Sequence, residues 1–288
     1  MSEILPFPAT VLPRFGSILV SGADARDFLQ GQLSFDMQRL TRERLELASC
    51  NSPQGRVQAL VWMVERSDGI LLILPAELVD PTVTRLRKYV LRAKAKIESG
   101  AGRFIVGGAV TGDARPPRTH EEHDGVSLIR WPVETASWLI VAPSAANLPD
   151  DAGFASDWHR AEIRAGLPQV YSQTCEAFVA QMLNVDLLEG ISFEKGCYTG
   201  QEIIARTHFR GTVKRRMIAF QAACPPPSPA TRIVSGESHA GDVVDAVATP
   251  QGCELLAVVS LTESGKELRL ADAGGTVLRR MAMSYEVM

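Results

Sequence analysis

Short apolar runs broken by turn residues set the pattern of this chain. Ser17-Ile-Leu-Val-Ser21 predicts a strand, and a helix follows with Asp24 as N-cap and Ala25, Phe28 and Leu29 on one face. Two β-rich runs, 57–65 and 70–75, flank Ser67-Asp68-Gly69, which predicts a hairpin. Asp80-Pro81 reads as a cap followed by proline at the first helical position. Val83, Leu86 and Val90 then recur at helical spacing, while Arg85, Arg87 and Lys88 fall on other faces. Residues 94–98, 104–110, 126–131 and 137–141 predict further strands. This order implies an α+β fold of antiparallel sheets with helices, not regular βαβ winding.

The stretch 115–125, rich in Pro, His and acidic residues, predicts a surface loop. A helix is expected over 155–165, stopped by Gly166 and Pro168. Past Arg210 the texture changes to short β-like runs at 217–221, 243–248, 255–260 and 267–270. Strands at that spacing predict a small terminal β-barrel, dividing the chain into an α+β region (1–210) and a barrel domain (211–288).

Of the 288 residues, 45% are hydrophobic and 22% charged, which excludes wholesale disorder and leaves ample core. The net charge of -3, from 30 Lys+Arg against 33 Asp+Glu, argues against a dedicated nucleic-acid binder, although a local basic patch survives such a balance. No apolar run approaches the roughly 18 residues of a membrane span, and Met1-Ser-Glu-Ile-Leu-Pro-Phe-Pro-Ala-Thr10 lacks the basic and apolar regions of an export signal. Five widely spaced cysteines (50, 175, 197, 224, 253) fit neither a zinc site nor a disulfide framework. A cytoplasmic protein is expected.

Two motifs lead nowhere. Gly107-Gly-Ala-Val-Thr-Gly112 lacks the Lys and Ser/Thr of a phosphate loop and is followed by Asp113 and Ala114; Ser192-Phe-Glu-Lys195 matches S-x-x-K without its companion segments. His120 and His123 sit among Glu121, Glu122 and Asp124 and read as a solvated polar loop, while Trp62, Trp131 and Trp138 read as packing residues.

One stretch, residues 190–206, carries chemistry. Thr199 and Glu202 form a T-x-x-E capping box that predicts a helix from about Gly200 through Gln201, Ile203, Ile204 and Ala205. Cys197 would then lie before a helix N-terminus and near Lys195, both of which favour a thiolate. Gly196 and Gly200 permit tight backbone paths on either side. From the residues alone two readings stand: a reactive thiol, or a buried cysteine in a loop whose glycines serve only the turn.

Lys195-Gly-Cys-Tyr-Thr-Gly-Gln-Glu202 resembles the signature of the YgfZ family, folate-binding relatives of the glycine-cleavage T-protein (aminomethyltransferase) that act in iron–sulfur cluster maintenance. Phe28-Leu-Gln-Gly-Gln-Leu-Ser-Phe-Asp36 resembles that family's early helix, and Asn51-Ser-Pro-Gln-Gly-Arg56 its hairpin entry. Lys88-Tyr-Val-Leu-Arg-Ala-Lys94 resembles its basic helix, and Ile163-Arg-Ala-Gly-Leu-Pro168 the segment after its third helix. The resemblance covers about residues 10–215.

It implies a T-protein-like ring of three subdomains around a central channel that takes tetrahydrofolate. Trp158 and Phe15 map to the family's folate-contacting tryptophans, and Tyr198, Gln201 and Asn184 are further implied contacts. It also implies Cys197 as a working thiol assisted by Lys195, and iron–sulfur client or assembly proteins as partners, including tRNA-modifying enzymes. No stable metal, no direct nucleic acid and no membrane are expected. T-proteins carry an aspartate pair where this chain has Ala59 and Leu60, a folate-holding glutamate where it has Arg164, and Lys-Gly-Asp where it has Lys195-Gly196-Cys197. Loss of those carboxylates implies that aminomethyl transfer is gone. The alternative is a one-carbon transferase whose displaced acids are drawn from Glu162, Glu176 and Glu202.

Overall fold

The computed structural model describes residues 5–113, 115–271 and 274–287; residues 1–4 of the N-terminal stretch and Ala114 lie outside them. The chain opens with β1 (Thr10–Val11), β2 (Phe15–Ser21) and α1 (Ala25–Gln30), followed by β3 (Glu46–Asn51), β4 (Val57–Arg66) and β5 (Gly69–Pro75). Arg66 pairs with Gly69, so the predicted hairpin turns tightly at Ser67 and Asp68, and Asp68 accepts from Arg66 Nε at 2.9 Å. After α2 (Val79–Arg87) the chain returns as β6 (Lys96–Ser99), completing a five-stranded antiparallel sheet ordered β3-β4-β5-β2-β6. Helix α1 packs on β5 and α2 on β2 and β6. Cover on both faces explains why β4 and β5 are apolar nearly throughout instead of alternating.

A second five-stranded sheet, ordered β1-β7-β10-β9-β8, is built from β7 (Phe104–Val110), β8 (His120–His123), β9 (Val126–Arg130) and β10 (Ser137–Pro143), with β1 as its edge. Helix α3 (Ala152–Ala165) follows, capped by Asp151 accepting from Gly153 and Phe154 and ended by left-handed Gly166. Helix α4 (Gln201–Arg210) leads into β11 (Arg215–Ala222), β12 (Arg232–Ser235), β13 (Ser238–Thr249), β14 (Gly252–Ser260), β15 (Leu268–Leu270) and β16 (Val277–Arg280). These six strands form a closed barrel, because β11 pairs with both β14 and β16.

Alternation along the barrel strands separates two cores. Ile218, Phe220, Leu255, Ala257 and Val259 fill the barrel, while Met217, Ala219, Leu256 and Val258 join the main core of the body. The barrel therefore docks through a full apolar face. A bulge between Val243 and Asp245 breaks the alternation, leaving Val244 in the main core and turning Asp245 to the same side, toward the body.

Several local expectations are corrected. Asp24 precedes α1 but makes no cap bond; its carboxylate accepts from Lys94 N at 2.6 Å and so ties the entry of β6. Helix α2 begins at Val79 after a 3₁₀ turn, so Asp80 and Pro81 lie inside its first turn, where an N–H is not required. The segment 88–94 that resembles a basic helix lies beyond the end of α2 as turns and irregular chain. The expected loop 115–125 contains β8, paired with β9. Strand alternation sends His120 and His123 to opposite faces. His120 is buried with Nδ1 2.5 Å from Arg42 O, and burial lowers its pKa, whereas His123 is exposed. Trp62, Trp131 and Trp138 are all buried, as expected of packing residues.

Candidate functional site

The Cys197 loop is held along its length by distant segments. Ser192 N donates to Ser34 O (2.9 Å), Thr199 N to Gly31 O (3.2 Å), and Ser34 Oγ to Gly190 O (2.6 Å). Lys195 is 8% exposed, and its Nζ donates to the carbonyls of Gln30, Leu33 and Phe35 at 2.6, 2.8 and 2.8 Å. Burial pushes its ammonium down to about 8, against the pull of Asp36. With three carbonyls on its three N–H groups, Lys195 anchors the loop.

Gly200 seats the far side of the loop on the 51–55 turn. Its φ is +82°, and a Cβ there would meet Ser52 O at 2.6 Å and Asn51 Cβ at 2.9 Å. Gly200, not Thr199, is the N-cap of α4, and no side chain caps this helix. The backbone turns left-handed one residue later than the capping box requires, and Gln201 Oε1 instead accepts from Tyr198 N at 3.3 Å. Tyr198 is buried with Lys195 Nζ 5.0 Å from its ring centre, and its hydroxyl has no partner among the described residues. The motifs 28–36, 51–56 and 195–202, far apart in sequence, thus form one assembly. Cys197 is exposed at its surface.

A second polar assembly lies where the two sheets, α3 and the barrel meet. Arg14 donates to Glu162 (2.6 Å), to Tyr171 Oη (2.5 Å) and to Asp245 Oδ2 (3.1 Å). Tyr171 Oη donates to the same Asp245 oxygen at 2.8 Å. His159 Nε2 lies 2.9 Å from it, within ion-pair reach but off the line of a hydrogen bond. Glu162 also accepts from the indoles of Trp131 (2.8 Å) and Trp158 (3.2 Å). Burial holds the Glu162 carboxyl above its usual range, against Arg14. At Asp245, burial pulls the same way, but His159 and Arg14 outweigh it and leave that carboxyl below its usual range. Sequence alone singles out none of Arg14, Tyr171 and Asp245, and β13 carries a second aspartate, Asp242, so no local signal marks Asp245.

The folate residues implied by resemblance are distributed between these assemblies. Trp158 is 4% exposed, its ring centre 6.4 Å from Trp131 and 6.1 Å from Phe154, with Gly108 leaving it no room on the sheet side. Phe15 meets Trp131 edge-on at 5.7 Å. The two mapped aromatics therefore share one ring cluster, but as core: neither presents a free face for a pterin. Asn184 Nδ2 donates to Met217 O (2.8 Å) and Tyr285 Oη (3.2 Å) at the barrel junction, while Tyr198 and Gln201 belong to the Cys197 loop.

Beside α3 is a cleft of about 650 Å³ lined by Asp157, Arg160, Arg164, Gln221, Arg280 and Met283 among others. Arg164, standing where T-proteins have a glutamate, forks onto Glu254 of β14 at 2.7 and 2.6 Å and so ties helix to barrel. Arg280 makes no ion pair among the described residues. Ala59 and Leu60, at the T-protein aspartate positions, are buried in β4. Of the acids considered for a transferase, Glu162 is engaged centrally, Glu176 accepts from Gln58 Nε2, and Glu202 lies exposed in the first turn of α4.

Among the other cysteines, Cys50 and Cys253 are buried, Cys224 half-buried and Cys175 exposed. Burial and the neighbouring Cys224 push Cys253 up to about 12, and burial with Glu176 raises Cys175. No group of three or more His, Cys, Asp or Glu arranged for a metal occurs among the described residues. Among them, too, no helix is long and apolar enough to cross a membrane.

Two sheets, a bridging helix and a closed six-stranded barrel define a class of fold. The chain superposes on the glycine cleavage system aminomethyltransferase T from Bartonella henselae with a TM-score of 0.72, covering 96% of this chain and 85% of that one at 12% identity. The fold is T-protein-like. No family model matches the sequence, but individual relatives do. The tRNA-modifying protein YgfZ of Enterobacter sp. is 30% identical over 308 aligned positions, covering 96% of this chain and 93% of that protein. Its counterparts in Hamiltonella defensa and Klebsiella pneumoniae are each 31% identical, with 75% of this chain covered and 70% and 72% of theirs. The chain belongs to the YgfZ family.

Proposed function

We propose that this protein is a cytoplasmic folate-binding factor that supports assembly or repair of iron–sulfur clusters in client enzymes, tRNA-modifying enzymes among them, with Cys197 as its working thiol. The observation that carries this reading is the presentation of Cys197: an exposed thiol on a loop anchored by Lys195 on one side and Gly200 on the other. A thiol so held meets a docked client without a search over loop conformations. It is a ligand for iron or a nucleophile toward client sulfur, and one cysteine does not complete a four-thiolate site, so the client supplies the remaining ligands. The relatives' name, tRNA-modifying protein, supports the choice of client.

Trp158 and Phe15 do not fit a stacking role as packed, so folate is assigned instead to the cleft beside α3. Its volume, about 650 Å³, falls in the range of small-molecule sites, roughly 300–1,000 Å³. Arg280, which makes no ion pair among the described residues, would meet a glutamate carboxylate of a folate there.

The test is complementation. In cells lacking the protein, Cys197→Ser at wild-type abundance is expected to leave iron–sulfur-dependent tRNA modification deficient, while Cys175→Ser restores it. Full rescue by Cys197→Ser reduces the thiol to a surface residue and ends the reading. Tetrahydrofolate titration checks the cleft separately: Arg280→Ala is expected to weaken binding several-fold, and unchanged affinity removes folate from the cleft.

A further inference from the structure

We propose that the C-terminal end of α4 is a binding surface for a single nucleic-acid strand, with Phe209 as the ring on which a base stacks and Arg206, Arg210 and Lys214 as its phosphate contacts. The surface uses residues that the Cys197 reading does not.

Phe193 and His208 stack with ring centres 3.7 Å apart and planes 13° from parallel. Phe209 stands edge-on to both, at 6.1 and 4.8 Å, and is 67% exposed. The Phe193–His208 pair braces one edge of Phe209, leaving most of the ring in solvent. An exposed phenylalanine at a helix end contributes little to the core, yet this one packs edge-on against a stacked pair.

The segment that follows the ring carries charge of one sign. From Arg206 to Arg216 the chain carries five cations and no acid. Arg215 faces Asp242 at 4.0 Å, and Arg216 is held by Asp186 at 2.6 Å. Arg206, Arg210 and Lys214 are exposed and make no ion pair among the described residues. Arg206 and Arg210 are one helical turn apart, on the side of α4 that also carries Phe209. The nearest acids in sequence, Glu194 and Glu202, belong to the Cys197 loop and to the first turn of the helix. Three free cations also overcome the negative end of the helix dipole, which by itself disfavours phosphate.

The chemistry favours a single nucleic-acid strand over a protein partner. A stable protein interface needs a contiguous apolar centre depleted of lysine, and here one large ring stands among cations. A nucleic-acid strand needs only one aromatic face per base plus cations along its backbone. The strand is single because a duplex has no free base face to offer. The overall charge of -3 supplies no long-range attraction, so binding rests on the local patch.

The experiment is fluorescence anisotropy of the full-length protein with a labelled 12-nucleotide oligouridylate in 50–200 mM salt. Binding is expected to fall with a log–log salt slope of about −2, the value for three contacts to a single strand. Phe209→Ala is expected to weaken binding about tenfold and Phe209→Trp to retain it. Replacing Arg206, Arg210 and Lys214 together by Gln should abolish the salt dependence; all these side chains are exposed, and far-UV circular dichroism checks the fold. No binding by the wild-type protein at 50 mM salt, or equal binding by Phe209→Ala, overturns the proposal. Equal competition by polyglutamate and by unlabelled oligonucleotide reassigns the surface to an acidic protein and overturns it too.

Discussion

Lys195 illustrates how one side chain converts a sequence motif into geometry. Its ammonium sits where the carbonyls of Gln30, Leu33 and Phe35 converge after α1, and among the described residues no other side chain donates to those carbonyls. Lys195→Met keeps the stem but leaves three acceptors without their donor. An unmet buried polar group costs about 1–3 kcal/mol, and partial access of water reduces the sum, so a loss of about 2–4 kcal/mol is expected in urea unfolding. Lys195→Arg should not restore it, because a planar guanidinium cannot bring three carbonyls to one nitrogen. Chymotrypsin should cut the Met variant after Tyr198 faster than the wild type; equal rates and equal midpoints would refute the anchoring role. The motif itself was legible in the sequence, but the anchoring role of Lys195 was not, because sequence distance says nothing of where a long side chain goes. The acceptors lie 160–165 positions away.

Elements were the most legible level, although β8 reads as a loop and 88–94 as a helix from sequence alone. The hairpin at 67–69, the helix stopped by Gly166 and the terminal barrel follow from turn chemistry and alternation that act locally. The start of α4 did not, because a capping box and a left-handed glycine compete for the same turn. Contact with the 51–55 turn, invisible in local sequence, selects the glycine. The two glycines of the loop are consequently unequal. Gly200→Ala meets Ser52 O and Asn51 within 3 Å at a positive φ, whereas Gly196 has open space around it. Left-handed strain of about 1–2 kcal/mol together with overpacking puts the expected loss for Gly200→Ala at about 2–4 kcal/mol. Gly196→Ala should stay within about 0.5 kcal/mol of wild type. Urea midpoints of the pair check this directly, and equal losses would mean that the loop does not rest on the 51–55 turn.

At the scale of the whole molecule, the barrel is joined to the body by its apolar outer face and by a buried charge network. A bulge in β13 turns Asp245 out of the barrel toward Arg14, Tyr171 and His159, three residues of the body. Nothing local in the sequence distinguishes that aspartate from a solvated one, so the network became visible only with the register of β13 against β14. Its energetics are open to a pH experiment. The Asp245 carboxyl lies below its ordinary 3.8 in the folded protein, so as pH falls below 3.8 the unfolded chain takes up the proton first. The stability that Asp245 contributes is thus complete above pH 3.8 and is lost as acid approaches the lower, folded-state value. Asp245→Asn removes the anion and leaves Arg14 with Glu162 alone, at a cost of about 3 kcal/mol at neutral pH for breaking a buried pair. The variant should also lose its share of the acid dependence, so its stability and that of the wild type converge between pH 4 and the wild type's acid transition. Urea unfolding at pH 7, 4 and 3 measures both slopes. A constant gap between the two proteins across that range would mean that Asp245 is not ionised at the junction, and that the barrel is held by its apolar face alone.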